Sequence, residues 1–181
     1  HKYDTGDYEN IDKMYGTNSD FNELCQKAEE KGIRIILDGV FSHTGSDSRY
    51  FNKYGNYGEL GAYESKYSKY YKWYRFYDYP NSYECWWGFE NQPNVEELEK
   101  TYSDYIVNSE NSIIAKWLRL GASGWRLDVA DELPDEFIQM IKERMKNEKE
   151  DSVLIGEVWE DASNKVSYSK RRKYLLGNEL D

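Results

Sequence analysis

"SGWRLDV", residues 123–129, is the stretch on which the fold turns: an apolar run of strand length that nevertheless keeps two charges, Arg126 and Asp128. Residues two apart on a strand leave the same face, so Arg126 and Asp128 project together. Two more runs of this kind flank it at a distance, "IRIILDGV" (33–40) and "SVLIGEVW" (152–159). Near-continuous apolar strands belong to parallel sheets covered on both faces. Each run ends in an ionisable residue: Asp38, with His43 just beyond it, then Asp128, then Glu157.

Before and between the strands the period changes. "DFNELCQKAEEKG" (20–32) sets Phe21, Leu24, Cys25 and Ala28 at i, i+3, i+4 and i+7, one face of a helix. Asp20 with Glu23 resembles a capping box, and Gly32 supplies the stop. Cys25 on that face reads as a small buried hydrophobe. "NSENSIIAKWLRLG" (108–121) places Ile113, Ile114, Trp117 and Leu118 on one face and ends at Gly121. Pro134 opens a third helix, carrying Phe137, Ile141 and Met145. The order helix, strand, insertion, helix, strand, helix, strand predicts a parallel α/β sheet or barrel. The insertion, 46–100, follows neither period and holds more than half of the chain's aromatic residues. It is too aromatic for a disordered linker, so a functional loop or a small domain of its own is expected.

The net charge of −10 over 181 residues disfavours nucleic acid and anionic membranes as partners, both of which reward basic patches. No run approaches the roughly 18 apolar residues of a membrane span. The chain opens on His1, with neither an initiator Met nor a signal-peptide core, and reads as a piece of a longer protein. The missing signal core leans toward the cytoplasm, but a truncated start leaves the compartment open. Cys25 and Cys85 are isolated, and His1 and His43 form no H-x-H or H-E-x-x-H pattern, so no metal cofactor is expected.

Active sites of parallel α/β folds lie at the carboxyl ends of the strands. Three strands delivering carboxylates to that rim is the main chemical signal. Neighbouring strands are about 4.8 Å apart, so carboxylates on adjacent strand ends could approach to about 5 Å. That is the spacing of a retaining glycosidase, roughly 5–5.5 Å, in which one carboxylate attacks the anomeric carbon and the other protonates the leaving oxygen. The proton donor is expected to have a raised pKa. Arg126 would hold Asp128 ionised and oriented; a purely structural Arg–Asp pair is the competing account.

These residues resemble the α-amylase family, glycoside hydrolase family 13. "DGVFSH" (38–43), "GWRLDVA" (124–130) and "GEVW" (156–159) are similar, in order, to its first three signatures, and "HKYDTGDYENIDKMYGT" (1–17) resembles the approach to the first. Within the family the likeness is to the neopullulanase and cyclomaltodextrinase group, and "NQPNVEEL" (91–98) is similar to its short extra motif. The resemblance implies an α/β fold, a partial (β/α)8 TIM barrel of about strands three to five. Residues 1–45 would give a loop, a helix and strand three, and 46–100 an inserted domain B. Residues 101–181 would give a helix, strand four, a helix, strand five and the start of the next helix. By the same resemblance Asp128 is the nucleophile, Glu157 the acid/base and Arg126 the nucleophile's partner. Asp38 supports the site, His43 hydrogen-bonds the sugar and Tyr3 stacks on it. Trp86 and Trp87 are expected in the cleft, and Trp159 reads as a core aromatic. Ser42 stands where many members have an Asn that contributes to a calcium site, so calcium is not supported.

The resemblance does not extend to a fourth signature, so the isolated piece is expected to be inactive and to self-associate through exposed barrel edges. The function implied for the parent is hydrolysis of an α-glucan, starch-like or oligosaccharide, by double displacement. Two other classes compete. One is a noncatalytic glycan-binding or degenerate barrel protein; the other is a metal-dependent hydrolase using Asp38, His43, Asp128 and Glu157, for which imidazoles are scarce.

Overall fold

A computed structural model describes residues 2–174 and 179–181. Its elements in chain order are α1 (Asn18–Glu29), β1 (Leu37–Gly39), β2 (Phe76–Asp78), β3 (Ser82–Tyr83), α2 (Lys100–Ser103), α3 (Ile113–Arg119), β4 (Gly124–Leu127), α4 (Asp135–Glu148), β5 (Val153–Gly156), β6 (Val166–Ser167) and β7 (Lys170–Arg171). The chain divides into two compact units, one of residues 1–8 and 40–102, the other of residues 9–39 and 103–181. No helix among the described residues is long and apolar enough to cross a membrane.

The second unit contains a parallel three-stranded sheet in the order β1-β4-β5. Asp38 lies opposite Arg126, and Arg126 opposite Ile155, so one row crosses all three strands on one face. Trp125, Leu127 and Leu154 alternate with that row and are buried, as are Ile113, Ile114, Trp117 and Leu118 of α3 and Phe137, Ile138, Ile141 and Met145 of α4. Full burial of each such side chain contributes about 1.5–3 kcal/mol. On the face carrying Arg126, Ile36 and Ile155 are exposed in this chain.

The α1 helix buries Phe21, Cys25 and Ala28, and Phe21 meets Trp117 edge-on with ring centroids 5.2 Å apart. Its cap is one turn earlier than expected. Thr17 is the N-cap, its hydroxyl accepting from the Asp20 N–H at 3.2 Å while Asp20 accepts from the Thr17 N–H at 2.8 Å. Gly121 has φ +121° just past the end of α3, and a Cβ there would lie 2.7 Å from Cys25 Cβ, so the close approach requires glycine. After β5 the chain forms an antiparallel hairpin, β6–β7, pairing Val166 with Arg171 and Ser167 with Lys170. The expected start of the next helix does not fall among residues 157–174, and residues 175–178 lie outside those described.

The first unit has a core made of aromatic rings. Tyr8, Phe41, Tyr50, Phe51, Tyr70, Trp73, Tyr74, Tyr83 and Tyr102 are all buried. Phe51 packs against Tyr74 at 4.9 Å and Tyr83 at 4.7 Å, and Trp73 against Tyr102 at 5.0 Å. Buried phenols need partners: Tyr8 donates to the Val40 carbonyl at 2.6 Å and Tyr102 to the Phe41 carbonyl at 2.9 Å. The β2–β3 hairpin and the isolated pairings His43–Asn94, Tyr74–Val95 and Cys85–Pro93 complete its backbone order.

Candidate active site

In the second unit, strand register alone sets Asp38 beside Arg126, and strand alternation sets Asp128 on the same side. One nitrogen of the Arg126 guanidinium, Nη1, lies 2.7 Å from Asp38 Oδ1 and 3.0 Å from Asp128 Oδ1. The other, Nη2, lies 3.0 Å from Glu157 Oε2. The three strand-end carboxylates therefore share one planar cation, a geometry that a fork of N–H donors allows and a point charge does not.

The backbone locks the same residues. The Asp128 N–H donates to the Gly39 carbonyl at 3.1 Å and the Glu157 N–H to the Leu127 carbonyl at 2.9 Å, so both residues sit on the last rungs of the sheet. Beyond them the chain turns sharply through Val129, whose φ of 41° and ψ of 58° are left-handed. From there the Val129 N–H donates to Glu157 Oε2 at 3.0 Å, and the Ala130 N–H to the Glu157 carbonyl at 2.8 Å.

Proton affinities divide the pair, in the direction opposite to expectation. Burial pushes the Asp128 carboxyl above the ordinary aspartate range; Arg126 pulls it back only in part, and the charges of Glu157 and Asp38 add to the rise. Burial also pushes Glu157 up, but the Val129 N–H, Trp159 and the Arg126 charge outweigh it, and Glu157 lies below the ordinary glutamate range. The cause is local. The Asp128 side chain is 10% exposed and the Glu157 side chain 32%, and Glu157 has a backbone donor aimed at it. Burial works against the Arg126 charge, but Asp38, Asp128 and Glu157 together hold it protonated.

Tyr3 and His43 belong to the first unit. The His43 ring is buried, with Nε2 3.0 Å from the Tyr3 carbonyl oxygen and Nδ1 3.0 Å from the Ser42 hydroxyl. Nε2–H donating to the carbonyl and Nδ1 accepting from the hydroxyl fixes the neutral tautomer. Burial lowers the His43 pKa, opposed by the Tyr3 carbonyl and Asp4. Ser42 thus directs its hydroxyl at the histidine. Trp86 lies 5.7 Å from the His43 ring, 5.8 Å from Trp87 and 6.1 Å from Phe89 in a stacked arrangement. Trp87, 68% exposed, is itself left-handed at φ 49°.

The structure brings together Asp38, Arg126, Asp128 and Glu157, four of the six site residues expected from sequence; Tyr3 and His43 belong to the other unit. Sequence reasoning missed Val129, because nothing in a sequence flags a valine that takes up a left-handed conformation. Trp159, read as a core aromatic, is exposed instead: it follows β5 beyond the last rung, where no packed layer covers it.

Residues 1–175 match the family model described as alpha amylase, catalytic domain. The chain belongs to the α-amylase family. Its relatives in that family include an amylopullulanase of Thermoanaerobacterium thermosulfurigenes, 42% identical over 99% of this chain and 11% of that protein. A neopullulanase 2 of Thermoactinomyces vulgaris is 30% identical over 100% of this chain and 29% of that protein. Among solved structures, Ttha1563 from Thermus thermophilus superposes with a TM-score of 0.80 at 29% identity, over 99% of this chain and 35% of that one. The chain thus spans between about a tenth and a third of the length of these family members. Its sheet of β1, β4 and β5 with α1, α3 and α4 is a section of a (β/α)8 barrel.

Proposed function

We propose that this chain carries the reacting carboxylates of a retaining α-glucan hydrolase. The observation that carries the reading is the Arg126 guanidinium held at 2.7–3.0 Å from Asp38, Asp128 and Glu157 at three adjacent parallel strand ends. Asp128 attacks the anomeric carbon, kept ionised by Arg126. Glu157 delivers a proton to the departing oxygen, then takes one from the water that releases the sugar. Asp38 shares the Arg126 cation and holds its plane.

The low range of Glu157 means that it must gain its proton as substrate arrives. Burial is already the largest influence on that carboxyl, so a sugar ring that excludes water from the strand ends raises its proton affinity further. A second reading, a glycan-binding protein without turnover, follows if Glu157 does not gain that proton when a sugar binds. A metal-dependent hydrolase is disfavoured by the cation already at the centre of the three carboxylates.

In this reading residues 46–100 are domain B, Tyr3 stacks on a sugar, and His43 hydrogen-bonds that sugar only by giving up its Nε2 bond to the Tyr3 carbonyl. The Trp86, Trp87 and Phe89 rings offer flat faces to the apolar C–H faces of glucose units. Calcium is not invoked in this reading.

The test uses the full-length gene product on maltooligosaccharides, pullulan and cyclodextrins. The first reducing sugar seen by proton NMR should be the α-anomer. Asp128→Asn and Glu157→Gln should each lower kcat by at least about a thousandfold. Glucan binding with no release of reducing ends would establish the non-catalytic reading instead.

A further inference from the structure

A valine in the left-handed region is a backbone outlier, because its branched Cβ crowds the chain there. Such strain persists only where surrounding contacts over-determine it. At Val129 those contacts can be named. The carbonyls that follow it are held from the segment after β5. Arg172, its side chain fully enclosed, donates Nη1–H to the Asp131 carbonyl at 2.9 Å and to Ser167 Oγ at 2.7 Å. Its Nη2 donates to the Leu133 carbonyl, and its Nε to Asp135 Oδ1 at 2.5 Å. Tyr168, in the β6–β7 turn, donates its hydroxyl to the Glu132 carbonyl at 2.5 Å. Three successive carbonyls, of residues 131, 132 and 133, are therefore tied down just after Val129.

The result lies on the other side of the turn. With Val129 left-handed, its N–H points at Glu157 Oε2, the same oxygen that Arg126 reaches. We propose that Val129 is a positioning residue for Glu157: the clamp of Arg172 and Tyr168 forces its strained conformation, and that conformation aims a backbone N–H that fixes the orientation of the carboxyl group. The inference rests on the acid/base reading of Glu157. Asp131 and Asp135, the acids of the clamp, have their own cations in Lys165 at 2.9 Å and Lys170 at 3.2 Å. The charged groups facing Glu157 itself are Arg126 and Asp128 from β4 and its end, with Asp38 of β1 reaching it through Arg126.

Arg172→Lys keeps a charge beside Asp135 but loses the fork that spans two carbonyls. Freed of the clamp, Val129 relaxes to negative φ and its N–H leaves Oε2. A carboxylate that loses an N–H donor binds its proton more tightly. The limb of the kcat/KM profile that Glu157 sets, identified by its loss in Glu157→Gln, should then move upward by about half a pH unit. The kcat should fall about tenfold while KM stays within about twofold, since general acid catalysis depends on orientation. Glycine occupies the left-handed region without strain, so Arg172→Lys combined with Val129→Gly should recover most of the lost kcat and return the limb toward its original place. A role of Arg172 in stability alone would not be rescued in this way.

The variants are made in the full-length protein and assayed on a maltooligosaccharide beside wild type and Glu157→Gln. A wild-type profile in Arg172→Lys, or a loss that Val129→Gly does not repair, overturns the positioning role while leaving the acid/base reading intact. Full activity of Glu157→Gln overturns the acid/base reading instead. Should Arg172→Lys fail to accumulate as folded protein, Tyr168→Phe, at an exposed position, removes the Glu132 tie alone. It should give a smaller upward shift with the same rescue, and an unchanged limb there overturns the proposal.

Discussion

At the residue scale the deciding group is Arg126. It is not an isolated partner of Asp128 but the common cation of three carboxylates, so its loss has an effect that the loss of any one acid does not. Arg126→Met would leave Asp38, Asp128 and Glu157 facing one another with no counter-charge. The expected cost is about 2 kcal/mol at neutral pH, somewhat below the range for a fully buried pair because part of the cluster meets water. Asp128 already titrates above the ordinary aspartate range, and removing the guanidinium that opposes burial raises it further. The cost should therefore shrink as the pH falls and the carboxylates gain protons. Urea unfolding of wild type and variant at neutral and mildly acid pH checks this; a penalty independent of pH would mean that packing, not charge, is what Arg126 supplies.

At the element scale α3 and α4 are pinned at their C-terminal ends. Arg119 grips Glu148 with two nitrogens, each at 2.8 Å, and Arg144 adds a third contact at 2.6 Å. Hydrogen bonding from Arg119 is the largest influence that lowers the Glu148 pKa, with the Arg144 charge adding to it against burial. A carboxyl whose folded pKa lies below its unfolded value contributes stability above the unfolded value, about 4.3 for glutamate, and loses it as pH falls through the folded value. Glu148→Gln should thus cost about 1 kcal/mol at neutral pH and progressively less under acid conditions. Thermal unfolding followed from neutral to acid pH tests the sign: a difference that grows on acidification would refute it. The periodicity of these helices was legible in the sequence, whereas this pin was not, because the arginines and the glutamate occupy solvent-side positions where sequence patterns impose little.

At the scale of the whole molecule the open face of the barrel section governs behaviour in solution. In the sheet β1 has β4 as its one strand neighbour among the described residues, and Ile36 and Ile155 lie exposed on the face that carries Arg126. Unpaired strand edges and uncovered apolar faces promote association. The 181-residue chain on its own should therefore form larger species as its concentration rises. Sedimentation velocity over about a hundredfold range in concentration measures this through mass action. A monomer at every concentration would show that the edge and the open face are protected.

The sequence by itself determined where the three parallel strands and the helices α1, α3 and α4 fall, and that Asp38, Asp128 and Glu157 end those strands. It also determined that Arg126 and Asp128 share a face. These are consequences of local periodicity, since two-residue alternation and 3.6-residue spacing are written into neighbouring positions. It erred where a competing local signal was closer: Thr17, not Asp20, caps α1. Three things were decided by the tertiary structure alone. They are that Glu157 and not Asp128 has the depressed pKa, that Val129 is left-handed, and that Arg172 reaches back some 40 positions to hold the turn beside it. Each depends on donors, exposure and strain brought together by packing between distant segments, and no spacing along the chain encodes such a meeting.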